Sequence, residues 1–77
     1  NPFKGNTLIG YDLPTAGDVT LTIFDVTGKV VFVKDQESVK GYNTISVSSK
    51  DIPSVGVLYY RLDANEYSAT KKMIIIE

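Results

Sequence analysis

Seventy-seven residues without cysteine or histidine exclude disulfide staples, thiol or imidazole catalysis and the common zinc sites. Eight Lys and Arg against nine Asp and Glu leave a net charge of −1 with no basic stripe, so charge alone addresses neither nucleic acid nor an anionic membrane. The longest apolar runs, Val30–Val33 and Met73–Ile76, fall far short of the ~20 residues a membrane helix needs, so no insertion is expected.

A chain of this size buries only about 60–65% of its unfolded surface. With 43% apolar residues, packing alone is expected to supply a net stability of about 3–5 kcal/mol. The absence of cysteine does not decide the compartment. No signal peptide is present, and the opening Asn1-Pro2-Phe3-Lys4-Gly5-Asn6 reads as the start of a domain excised from a longer protein.

The apolar period is two throughout. Thr7–Leu13 alternates Ile9, Tyr11 and Leu13 against Leu8, Gly10 and Asp12, then meets a loop with Pro14 and Gly17. Asp18–Phe24 places Val19, Leu21 and Ile23 inward and Thr20 and Thr22 outward. Asp25 and Gly28 are suited to the ends of a type I turn, with Gly28 free to take positive φ in a hairpin bulge. The return strand is expected over Lys29–Lys34, followed by a charged loop over Asp35–Gly41 that crosses between sheets.

Tyr42–Ser48 alternates again, with Ile45 and Val47 inward and Ser46 and Ser48 outward. Ile52 is placed to plug one end of the core before a strand at Val57–Leu62, a turn over Asp63–Tyr67 and a last strand at Ala69–Ile76. Within Val57–Leu62, Leu58, Tyr60 and Leu62 share one face, while Val57, Tyr59 and Arg61 share the other. Tyr60 is therefore expected to be mostly buried and Tyr59 more exposed. Six strands with turn signals every 8–14 residues predict an all-β, two-layer antiparallel sandwich.

Chemistry-bearing constellations are sparse. Asp12 and Asp18 flank a loop, where carboxylates serve mainly as turn residues. Asp63, Asn65 and Glu66 could offer oxygens to Ca²⁺ but also make a good hairpin turn. Ser46, Ser48, Ser49 and Lys50 lack the buried lysine a Ser–Lys dyad requires. Catalytic, cofactor and metal residues are accordingly none. Outward aromatics, Tyr59 beside Arg61 above all, could stack on sugars or a protein, although ordinary cross-strand pairing is the favoured account of them. Ile74, Ile75 and Ile76 in succession make the closing strand apolar on both faces, so it is expected to be central or covered.

Four features in order carry a family resemblance: the opening Asn1–Phe3; Val19–Val31, an apolar strand, a D-x-x-G turn and a return; Gly41–Val47 leading through Ile52 to Gly56–Leu62; and the closing Thr70–Glu77. The chain resembles, over nearly its whole length, the C-terminal sorting domains of the type IX secretion system of Bacteroidetes, type A. It departs from the family's G-x-Y pattern, with Leu58 where the tyrosine falls. The resemblance implies an immunoglobulin-like sandwich of six to seven strands, one of them drawn from Asn1–Gly5 or Lys50–Pro53.

It also implies a C-terminal address label on a larger cargo protein that carries its own Sec signal. An outer-membrane translocon recognises such a label after passage through the periplasm. A sortase-like surface protease usually then removes it upstream of Asn1, leaving the cargo secreted or on the cell surface. The recognition candidates are Lys71, Lys72, Met73, Ile74, Ile75 and Ile76, with Gly56, Tyr59 and Arg61. The competing expectation is an immunoglobulin-like accessory domain of a surface enzyme or adhesin, glycan-binding or acting as a spacer. An autonomous enzyme is disfavoured by the missing His and Cys.

Overall fold

Alternation of β-branched with polar residues produces strands from end to end. The computed structural model describes residues 2–3, 5–53, 56–64 and 67–75, with strand backbone alone for 2–3 and 67–75. The strands are β1 (Pro2–Phe3), β2 (Asn6–Leu13), β3 (Gly17–Phe24), β4 (Val30–Ser38), β5 (Gly41–Ser48), β6 (Gly56–Ala64) and β7 (Tyr67–Ile75). A short 3-10 turn at Ser49–Asp51 is the only helical element among the described residues. β1, β7, β6, β3 and β4 form one sheet in that order, and β2 and β5 form the other. One pairing departs from the antiparallel expectation: β1 runs parallel to β7 through Pro2↔Ile74 and Phe3↔Ile75.

The inward rows of both sheets meet in one core. Val19, Leu21, Ile23 and Leu58 come from the larger sheet, and Ile9, Leu13, Ile45 and Val47 from the smaller. Ile52 closes one end, as its place after the polar turn suggested. Each buried Val, Leu or Ile contributes about 1.5–3 kcal/mol relative to an exposed position. Backbone ordering opposes nearly all of that gain, so few of these side chains are dispensable.

The β3–β4 turn forms as its residues dictate. Gly28 N donates to Asp25 O at 3.0 Å and Asp25 N to Lys29 O at 2.9 Å. Gly28 takes φ +89°, a region that favours glycine, and the register slips by a bulge between Ile23 and Phe24. Asp25 Oδ1 accepts from Thr27 Oγ1 at 2.6 Å, Thr27 N at 2.9 Å and Lys29 N at 3.0 Å. These bonds, the Thr27 hydroxyl foremost, hold the Asp25 carboxyl below its ordinary 3.8. A depressed folded-state pKa adds stability that is fully present above the unfolded value and is lost as pH falls through the folded one. Urea midpoints should therefore drop below about pH 4 in the wild type, and Asp25→Asn, which keeps an acceptor but cannot titrate, should flatten that acid limb.

β4 is longer than its composition suggested. Residues expected to form a charged loop continue the strand to Ser38, leaving only Val39 and Lys40 between β4 and β5. The polar side chains of this segment find partners on both faces. Thr20 Oγ1 donates to Asp35 Oδ1 at 2.7 Å on the outer face. On the inner side Gln36 Nε2 donates to Tyr11 Oη at 3.0 Å and to Thr44 O at 2.9 Å, while the Tyr11 and Ser38 hydroxyls lie 2.6 Å apart. Asn43 clamps the crossing, accepting from Val39 N at 3.1 Å and donating to Val39 O and Gly41 O at 2.9 and 3.0 Å. Lys34 Nζ reaches Ser46 O at 3.4 Å, so β4 side chains occupy carbonyls along the outer edge of β5.

Candidate recognition face and terminal strand

β6 lies between β3 and β7, and its alternation sorts the candidate residues between two environments. Leu58 is fully buried, and Tyr60 packs half-buried against the core. Tyr59 is also half-buried, so the expected contrast between the two tyrosines is weaker than alternation implied. The reason lies across the strand: Tyr59 is in register with Phe24, and the two rings stack at 5.9 Å with planes 23° apart. Such a pair shields both rings on an otherwise open sheet face.

Arg61 shares Tyr59's side and donates from Nε to Asp63 Oδ2 at 2.8 Å. With both side chains more than a third exposed, this ion pair is worth less than about 1 kcal/mol. Gly56 opens β6 at φ +98°, where a Cβ would be strained although no atom stands in its way. Its place among the candidates is therefore explained by backbone geometry.

β7 pairs with β6 along its whole length, setting Lys72 opposite Tyr59, Lys71 opposite Tyr60, Met73 opposite Leu58, Ile74 opposite Val57 and Ile75 opposite Gly56. β1 flanks its other edge at Ile74 and Ile75. The apolar closing strand is thus paired on both sides at its end, as expected. The side chains of Lys71, Lys72, Met73, Ile74 and Ile75, and Ile76 altogether, lie outside the described residues.

An acidic group occupies the opposite end of the outer face; the sequence singles out its members Asp18 and Asp63 only apart, as turn residues. Asp18 and Glu37 are directly paired across β3 and β4, and Thr20 is flanked by Asp35 on one side and Asp63 on the other. The alternation of Asp35 and Glu37 about Gln36 was the available signal, obscured by reading the segment as a loop. Like charges directly opposed across strands destabilise, so Glu37→Lys should raise stability by about 0.2–1 kcal/mol, read as a higher melting temperature.

The remaining candidates serve local structure. Ser48 Oγ accepts from Lys50 N at 3.2 Å, and Ser49 Oγ accepts from Gly5 N at 3.2 Å. Asp63 holds Arg61, while Asn65 and Glu66 lie outside the described residues. Among the described residues, no group of three or more acidic side chains is arranged to hold a metal ion, and no helix is long and apolar enough to cross a membrane.

The model of the family described as the secretion system C-terminal sorting domain matches residues 1–76. The chain belongs to this family of type IX secretion sorting domains. Neither a search of curated proteins nor one of solved structures finds a match. A sorting domain of this family is a non-catalytic tag, part of a cargo protein that the type IX machinery delivers outside the cell or to its surface.

Proposed function

We propose that residues 1–77 are one folded sorting domain whose function is to be bound, presenting its cargo in the periplasm to the outer-membrane translocon. A sortase-like surface protease then removes it. The observation that carries this reading is the family match over nearly the whole chain, which includes every strand from β1 to β7. An immunoglobulin-like fold is supported by the strand order: β7-β6-β3-β4 against β2-β5 follows the G-F-C-C′ and B-E order of variable-type domains.

Within the domain, the recognition element we favour is the terminal strand, Lys71 to Ile76, with Tyr59 and Arg61 on the neighbouring strand. Lys72 is in register with Tyr59, the strand partner of Phe24, and Thr70 is in register with Arg61. Catalysis has no part in this reading: the label works by shape, backbone and a few charges. The test is a Sec-exported reporter with and without this domain in a type IX-competent host. Transfer of the tagged reporter to the medium or cell surface supports the reading, and retention of both forms in the periplasm refutes it.

A further inference from the structure

Over β3, β4 and β6, the outward face of the larger sheet is divided in a way that a merely solvated face does not require. Toward the β3–β4 turn it carries the Phe24–Tyr59 stack, flanked by Val33, 56% exposed, and Val57, 41% exposed. An antiparallel sheet with one face in water ordinarily alternates to polar residues on that face. Toward the other end stand Asp18 and Glu37, directly opposed, both exposed, and neither with a hydrogen-bond or ion-pair partner among the described residues. Like charges directly opposed across two strands are mildly unfavourable, and a cationic partner would turn that pairing to advantage.

The outer edge of β5 is already engaged, because Lys34 and Gln36 of β4 donate to its Ser46 and Thr44 carbonyls. On these grounds we infer that this face docks a protein surface presenting an apolar patch beside Lys or Arg. Resting on the sorting reading, the inference assigns that surface to the export receptor. The aromatic–valine end supplies the desolvated contact and the acidic end supplies orientation and encounter rate.

The experiment uses the complete 77-residue domain fused to a foreign Sec-exported reporter, so the natural cargo cannot be the occupant of the face. Val33→Lys/Val57→Lys should lower the exported fraction at least tenfold, and Asp18→Asn/Glu37→Gln several-fold, with melting temperatures near that of the wild type. Val33→Thr/Val57→Thr, nearly isosteric and suited to strands, gives the same readout with a smaller loss should the lysine variant fold poorly. Leu8→Lys, at an exposed position on the two-stranded sheet, should export normally.

Export of the folded face variants at the wild-type level would overturn the inference while leaving the sorting reading intact, as would an equal defect in Leu8→Lys. Failure of the wild-type fusion to leave the periplasm would overturn both. Sedimentation adds a last outcome: a wild-type dimer that Val33→Lys/Val57→Lys dissociates would assign the face to a second copy instead, and overturn the inference.

Discussion

Leu21→Ala should leave the domain largely unfolded at 25 °C. Leu21 is fully buried on a strand paired on both sides, and it packs with Ile23, Leu58 and the inward row of the smaller sheet. Truncating a buried leucine costs about 2–5 kcal/mol, through lost transfer energy and the cavity left behind. A domain of this size without disulfide or metal has a net stability of about 3–5 kcal/mol, so one such change consumes most of it. Circular dichroism on heating reads the result, with Val33→Ala as the comparison. Val33 is exposed, and its truncation should cost no more than about 0.5 kcal/mol. A Leu21→Ala melting curve within a few degrees of wild type would mean that the shared core does not hold the sheets together.

The second large effect concerns the terminal strand. Removing residues 71–77 takes away the partners of Gly56 through Tyr60 on β6 and of both residues of β1. Export should cease, but so should folding, and the deletion alone does not separate the two. Lys71→Ala/Lys72→Ala does separate them. Lysine ion pairs in water are worth little, so this variant is expected to keep a melting temperature close to wild type. On the proposed recognition by the terminal strand, its exported fraction should nevertheless fall severalfold. Wild-type export of the double variant would remove the lysines from the recognition element. Export of the deletion variant would contradict the role of β7 altogether.

Much of this fold was legible in the sequence, because period-two alternation survives wherever one face is buried. Val19, Leu21 and Ile23, Ile45 and Val47, and the end-plug Ile52 all take their expected places in the core. The Asp25–Gly28 turn was legible as well, since its residues state their backbone requirements locally. What composition concealed was the second half of β4. There the inward residues are Gln36 and Ser38, which reach the core side only because Tyr11 and Thr44, distant in sequence, meet their polar groups. A charged run reads as a loop until such partners are known.

The candidate face was legible only in part, for the same reason. Tyr59 and Arg61 could be assigned to the outward side from alternation, but the Phe24 ring that half-covers Tyr59 comes from β3, and register is not written in either strand alone. The Asp18–Glu37 opposition likewise exists only once β3 and β4 are paired. Strand identity is local information, whereas the composition of a sheet face is a property of pairing.

The central claim is that this domain is an address read by the type IX machinery. Its most direct measurement compares one tagged reporter in two isogenic hosts, with and without a functional outer-membrane translocon, scoring the fraction outside the cell against the fraction in the periplasm. The expected result is export in the competent host and periplasmic accumulation of folded, tagged reporter in the deficient one. Equal distribution in the two hosts, whether inside or outside, would contradict it.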